Sequence, residues 1–358
     1  MLNARPLSDD WIRAAGERFA GFVGALPAPP LVATHDDADG LSSGALLARA
    51  LGRGIGMPEV RLVGRGENAW SDAFAAEVAG RAPPGLVVAD LGMRDRTLHE
   101  RLAVIDHHVP RGAPEGATVV HGLDVDPVPS TSLLAWWCAS GLPGGADDLL
   151  WLAAVGLIGA LGDKAPFDAV PLAKKCYGAG KLKELVALVN APRRGASGDA
   201  APALDLLMAT DDPADALSGR HPGLAACEAA RAEVKAALAE ARRAPPRFGS
   251  RYGGEVALVR VDTPCQVHPI VAQSWVGRLR GATVFAANFG YLPGHVSFSG
   301  RGAKDADLPA FLAAHRPDGA DPLLYGNGHA RAAGGALTHA AWNEWIADLG
   351  FGPEMRAA

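Results

Sequence analysis

Residues 31–40 constrain the fold more than any other stretch. The run Leu31-Val32-Ala33-Thr34 ends at His35. Three carboxylates, Asp36, Asp37 and Asp39, follow within four positions, and then Gly40 leads into Leu41-Ser42-Ser43-Gly44-Ala45-Leu46-Leu47-Ala48. A short apolar run that stops in polar residues and feeds a helical pattern is a buried strand entering a helix. Three like charges so close together repel, and they cannot all be buried unpaired. Either a cation holds them or water does. In open α/β sheets ligands bind beyond the carboxyl ends of the strands, so a bound metal and an Asp-rich helix cap are the two readings of this stretch.

The alternation continues along the chain. A helix over about 41–53 precedes a strand at Val60–Val63, and a helix near 69–80 precedes the strand Leu86–Ala89. A further helix is expected before the strand Leu102–Ile105. An amphipathic helix capped by Ser8 comes before all of them, with Trp11, Ala15, Phe19 and Phe22 at helical spacing. Strands alternating with helices make βαβ units and a parallel sheet. Three strands end in acidic or imidazole groups: His35 to Asp39, Asp90, and Asp106-His107-His108. Parallel strands put their carboxyl ends on one edge, where these distant groups can meet.

Beyond residue 130 the pattern is helical. Ser130-Thr131-Ser132 reads as a helix cap, and the run Asp147–Leu161 as a core helix that ends near Gly162-Asp163-Lys164. A carboxylate is unfavourable at a helix C-terminus, so Asp163 calls for Lys164 or a metal as partner. Residues 192–202 read as a surface loop. A long helix over about 223–243, flanked by Gly, Pro and Arg, reads as a connector. An α/β pattern then restarts: strand Glu255–Val261, helix Val267–Leu279, strand Ala282–Ala287, strand Val296–Phe298 leading to Ser299-Gly300-Arg301, and helix Leu308–Ala314. A glycine-rich stretch, residues 325–335, carries His329 and Arg331 and reads as a loop that lets a phosphate approach the backbone. The expected organisation is a first domain over 1–222, a connector over 223–246 and a smaller α/β domain over 247–358.

Bulk properties narrow the class. The chain has 358 residues, enough for two domains, and is 49% hydrophobic and 20% charged, as ordinary globular proteins are. No apolar run is long enough to span a bilayer, and the N-terminus lacks the apolar core of a signal peptide, so a cytoplasmic location without a membrane partner is expected. Four well-separated cysteines argue against a thiolate zinc site. The net charge of -5 leaves little basic footprint for a long duplex. Single-stranded or small anionic substrates fit it better.

Five motifs stand in order across residues 35–334: His35-x-Asp37-x-Asp39-Gly40, Asp90, Asp106-His107-His108, Gly162-Asp163, and Gly326-Asn327-Gly328-His329-Ala330-Arg331-Ala332-Ala333-Gly334. In these the chain resembles the DHH phosphoesterase superfamily, closest to the RecJ-like exonucleases and nanoRNase-like enzymes that carry a DHH-associated C-terminal domain. Asn327 departs from the family pattern, where glycine is commoner. The spacing of the first motif is similar to that of RecJ-like and archaeal-type exonucleases.

The resemblance implies an active site in a cleft between the domains and two divalent ions, Mn2+ preferred and Mg2+ the alternative. It places His35 and Asp37 on one ion, Asp39, His107 and Asp163 on the other, and Asp90 between them. It gives Asp106 the task of orienting His107, and His108 a contact to the scissile phosphate. Ser299, Arg301, Gly326, Gly328, His329 and Arg331 would grip the nucleotide, and Asp36 would stay in solvent or behind the ligands. The implied activity is a phosphodiesterase, foremost an exonuclease on single-stranded DNA or RNA or on short oligonucleotides. A small-nucleotide phosphodiesterase or 3′-phosphonucleotide phosphatase is the alternative, and a non-catalytic nucleic-acid-binding protein the alternative of another class. His268 and His295 read as cleft-lining or structural. His99, His121, His221, His315 and His339 have no constellation around them.

Overall fold

Five short strands with almost no polar interior residue form the centre of the first half. A computed structural model describes residues 5–303 and 305–358, except the side chain of His329. The described residues divide into two compact units. One contains the chain up to Arg193 together with Asp199–Ala229, the other Arg194–Gly198 together with Ala230–Ala358. The boundary falls inside the helix Pro222–Ala241, which matches the helix expected over 223–243.

In the first unit, β1 (Leu31–His35), β2 (Val60–Val63), β3 (Leu86–Ala89), β4 (Leu102–Asp106) and β5 (Thr118–His121) pair in parallel in the order β2-β1-β3-β4-β5. Val32, Val87, Ala103 and Ile105 face one apolar layer, while Leu31, Ala33, Leu86, Val88, Leu102 and Val104 face another. Burial on both faces explains why these strands read as continuous apolar runs. The order changes direction at β1. Its successor β2 lies on one side, and β3 to β5 lie on the other. Such a switch point opens a crevice at the carboxyl ends of the two strands that flank it, here β1 and β3.

Helix α1 (Asp9–Gly24) is capped by Ser8, whose Oγ accepts from Trp11 N at 3.3 Å. Helix α2 (Ala38–Gly52) starts earlier than the apolar pattern suggests, because Asp37 caps it. Helix α3 (Asp72–Arg81) follows Ser71, and α4 (Thr131–Ser140) follows Ser130, whose Oγ accepts from Leu133 N at 3.4 Å. The apolar run from Asp147 opens as a 3-10 turn and becomes α5 (Leu150–Leu161), buried almost all round. No helix of the described residues is long and apolar enough to cross a membrane.

One expectation fails here. No helix precedes β4: residues 90–101 form an irregular crossover. It is pinned where Trp70 Nε1 donates to the carbonyls of Leu91 and Gly92, at 3.0 and 3.2 Å, and Gly92 N donates to Asp106. The strand β5 was not anticipated, since four residues beside a charged loop carry little periodic signal.

The second unit is a six-stranded mixed sheet. β6 (Arg247–Phe248), β7 (Val256–Val261), β8 (Thr283–Leu292), β9 (His295–Arg301), β10 (Tyr325–His329) and β11 (Ala332–Thr338) are ordered β10-β11-β9-β8-β7-β6, with only β7 and β8 parallel. Phe285, Phe298, Trp342 and Trp345 dominate one apolar layer. The glycine-rich stretch, expected as a loop, is the hairpin β10–β11. Gly328 permits it: its φ is 141°, and a Cβ there would stand 2.2 Å from the carbonyl oxygen of Ala332.

Candidate metal centre

The candidate ligands come from the carboxyl ends of three neighbouring strands. At the end of β1, the Nδ1 of His35 lies 3.2 Å from Asp37 Oδ2 and 3.8 Å from Asp90 Oδ2. Asp37 uses its other oxygen to cap α2, accepting from the N–H groups of Asp39 and Gly40 at 3.0 and 3.1 Å. Gly40 is required by this tight entry, because a Cβ would lie 2.3 Å from the carbonyl oxygen of His35. One element thus aims His35, Asp37 and Asp39 together.

Asp90 follows β3 and is the central carboxylate. It adopts a left-handed backbone with φ 64°, unusual for a residue with a side chain. The turn brings Oδ1 to 2.8 Å from the Thr131 hydroxyl, which donates to it, and to 3.6 Å from His107 Nε2. Asp39 sits at the start of α4: its oxygens accept from the N–H groups of Ser132, at 2.9 Å, and Thr131, at 3.0 Å. A helix N-terminus favours negative charge. The fit behind Asp39 is close. A Cβ on Gly156 of α5 would meet Ser132 Oγ at 2.3 Å and Asp39 Oδ1 at 2.9 Å.

The ends of β4 and β5 complete the edge. Asp106 is fully buried and accepts from Gly92 N at 2.8 Å and from His108 N at 2.6 Å. Its ring partner is His108, whose Nδ1 is 3.2 Å away, and not His107 as the resemblance implied. Neighbouring residues leaving a strand point to opposite sides, so 106 and 108 share a side and 107 turns to the ligands. His107 Nε2 lies 3.8 Å from Asp39 Oδ2. His121, set aside in the sequence, ends β5 opposite Asp106, and its Nε2 lies 2.9 Å from the carbonyl oxygen of His108. Its signal was present: it too is an imidazole at the end of a short apolar run.

The electrostatics separate these groups. Burial raises the Asp90 carboxyl well above its ordinary value, and Asp39, Asp37 and Asp106 push it further. Burial also raises Asp39. For Asp37 the effect of burial is overcome by His35, Arg193 and the Gly40 N–H, which hold its carboxyl well below the ordinary range. Burial lowers His107. It would lower His108 as well, but Asp106, with Asp39 and Asp37 behind it, outweighs burial and raises it. Asp106 is lowered: burial opposes ionisation and the contacts from His108 prevail.

The donor set fits divalent cations. His35, Asp37 and Asp90 present ligand atoms within 4.8 Å of one another, and so do Asp90, His107 and His108. Asp90 belongs to both groups, as a bridging carboxylate would. Carboxylates crowded until one resists ionisation are a site short of positive charge.

Asp163 stands apart from these groups. Its carboxylate is half exposed and faces Lys183 at 3.7 Å, while its carbonyl accepts from Lys174. Lys164, one of the two partners weighed for it, is exposed.

No protein-family model matches the chain, and no curated protein matches it. Solved structures do. A RecJ from Thermus thermophilus in complex with Mn2+ aligns with a TM-score of 0.67 at 21% identity, over 98% of this chain and 55% of that one. The chain therefore spans about half the length of the Thermus RecJ. An exonuclease RecJ bound to manganese aligns with a TM-score of 0.63 at 23% identity, over 98% and 96% of the two chains. The DHH domain of a protein assigned to a family of ribosomal proteins aligns with a TM-score of 0.65 at 15% identity, over 97% and 92%. The chain has the fold of these RecJ and DHH-domain structures.

Within this DHH fold the second unit gathers its own polar residues. Arg301, at the end of β9, donates through Nη1 to Ser299 Oγ and to the Gly300 carbonyl, each at 2.8 Å, and through Nε to Gln273 at 3.2 Å. A cavity of about 220 Å³ is lined by Gln273, Val276, Arg301, Gly302, Arg331 and Ala332. Gln273 had no sequence signal, being one amide on an apolar helix. Gly326 and Gly328 lie on β10 with positive φ, and the side chain of His329 lies outside the described residues. His268 is buried with its Nδ1 unpartnered, and its pKa is pushed down to about 3 by burial, with Arg301 and Arg194 adding to it. His295 is half exposed, with Nδ1 3.1 Å from the Pro293 carbonyl.

Proposed function

We propose that the chain is a divalent-metal-dependent phosphodiesterase, foremost an exonuclease of the RecJ type that acts on single-stranded nucleic acid or short oligonucleotides. The observation that carries this reading is the sharing of Asp90 by two His/Asp clusters at the switch point of a parallel sheet. His35, Asp37, Asp39, Asp90 and His107 would hold two divalent ions, Mn2+ preferred, and the resemblance adds Asp163. Such a pair supplies Lewis acidity toward a phosphoryl oxygen and activates a water.

The remaining residues have definable tasks. Asp106 orients His108 and favours its protonated ring, the form that would donate a hydrogen bond to the scissile phosphate. Thr131 fixes the Asp90 carboxylate that both clusters share, and the start of α4 fixes Asp39. In the second unit the guanidinium groups of Arg301 and Arg331, with Ser299, Gly326, Gly328 and His329, would bind phosphate, for which the planar fork of arginine is suited. A cavity of about 220 Å³ beside Arg301 and Arg331 has room for a terminal phosphate. It serves the end of a dinucleotide as well as that of a longer strand, which keeps the small-nucleotide reading as the second one.

Purified chain with Mn2+, given end-labelled single strands of graded length and a dinucleotide, tests this. Release of mononucleotides from the strands supports the exonuclease. Turnover of the dinucleotide alone selects the small-nucleotide enzyme. Cleavage of neither, in protein that binds Mn2+, defeats the reading in favour of a non-catalytic binding protein.

A further inference from the structure

Asp36 is the acidic residue of the first motif for which the ligand set has no task. It is not in solvent: the residue is 5% exposed. Its Oδ1 lies 3.4 Å from His35 Nε2 and accepts from Arg193 Nη1 at 3.3 Å. Its Oδ2 occupies the room left by Gly64, where a Cβ would stand 2.7 Å away. The His35 ring therefore has two engaged edges. Nδ1 faces Asp37 and Asp90 in the candidate centre, and Nε2 faces Asp36 behind it.

Arg193 lies in the stretch that reads as a surface loop, yet it is largely buried, and its Nε is enclosed without a hydrogen-bond partner. A guanidinium withdrawn from water in this way is costly. Its carboxylate contact is Asp36, on the far side of His35 from the ligands.

We propose that Asp36 and Arg193 are a positioning pair for the metal centre. Asp36 accepts the Nε2 proton of His35, which turns the Nδ1 lone pair toward a divalent cation, and Arg193 holds the Asp36 carboxylate in that orientation. A carboxylate behind a metal-binding imidazole sets the tautomer and the angle of the ring. The pair rests on the reading of the cluster as a divalent-metal centre.

Mn2+ titrations of the full chain, followed by the paramagnetic resonance of unbound ion, test it on wild type, Asp36→Asn, Asp36→Ala, Arg193→Lys and Arg193→Ala. Asp36→Ala and Arg193→Ala are expected to weaken Mn2+ binding by ~10–100-fold. Asp36→Asn, whose amide oxygen still accepts, and Arg193→Lys, which keeps the charge, should each recover part of the loss. In Zn2+-loaded, 15N-histidine-labelled chain, with His35 identified by its absence in His35→Gln, Nε2 should carry the proton. Asp36→Ala should speed exchange of that proton with water. A purely structural ion pair would lower the melting temperature of the variants and leave Mn2+ affinity and the His35 signal unchanged, and that result overturns the pair. Protonation of His35 at Nδ1 in the loaded wild type overturns it too. If Asp36→Ala does not fold, Asp36→Asn carries both readouts. A wild-type chain that binds no divalent cation sinks the centre and the pair together. Tight wild-type binding that no variant alters sinks the pair alone.

Discussion

The Thr131 hydroxyl donates to Asp90 Oδ1 at 2.8 Å while the Thr131 backbone N–H donates to Asp39 Oδ2 at 3.0 Å. One residue at the start of α4 thus joins carboxylates that lie beyond the ends of two different strands. Thr131 is fully buried, so its hydroxyl cannot be replaced by water without rearrangement. Thr131→Val keeps the shape and removes that donor. Folding stability should fall by about 1–3 kcal/mol, the cost of leaving a buried acceptor unsatisfied, and Mn2+ affinity by ~10-fold or more. Urea unfolding and a calorimetric Mn2+ titration measure the two losses.

Asp90→Ala removes the proposed shared ligand. Turnover should drop by at least ~10²-fold, since the loss of groups that only support ligands already costs about 10–100-fold. Steady-state rates at saturating Mn2+ decide it, and full activity in this variant refutes the two-ion assignment.

Chelation should lower the melting temperature of the wild type, because Asp37, Asp39 and Asp90 then face one another without a cation. Asp90→Asn removes one of those charges and should be less sensitive to chelator. Thermal unfolding of both proteins with EDTA and with Mn2+ gives the comparison.

Acid should weaken the second unit through His268. Its folded pKa of about 3 lies below the ordinary value of 6.5, so between these pH values the unfolded chain takes up a proton that the folded chain refuses. Stability is therefore fully present above pH 6.5 and declines as the pH falls toward 3, by up to about 1.4 kcal/mol per pH unit for one proton. His268→Leu should flatten the dependence of the urea midpoint on pH in that window.

Gly156→Ala places a methyl group against Ser132 and Asp39. Overpacking of this kind costs about 1–3 kcal/mol, and here it also displaces a proposed ligand. Lost Mn2+ affinity should accompany lost stability, whereas an exposed Gly→Ala change in a helix would stabilise.

Much of this arrangement was legible in the residues alone. Apolar runs at Leu31, Val60, Leu86 and Leu102 named four of the five parallel strands, because burial on both faces leaves no polar alternation to confuse. The acids at their ends named the candidate ligands, since parallel strands share an edge. Local capping chemistry was equally readable at Ser8 and Ser130. The irregular crossover before β4 was not, because contacts from Trp70 and Asp106, distant in sequence, hold it in place of a helix.

The sequence by itself determined which groups could meet: strand periodicity sets the sheet, and each motif stands where a strand runs out. Only the tertiary structure decided how they meet. It turned Asp106 toward His108, brought His121 behind that imidazole, and set Thr131 between Asp39 and Asp90. It also drew Arg193 from an apparently exposed loop onto Asp36. Those pairings depend on side-chain direction and on contacts between elements up to 157 residues apart, which no local pattern encodes.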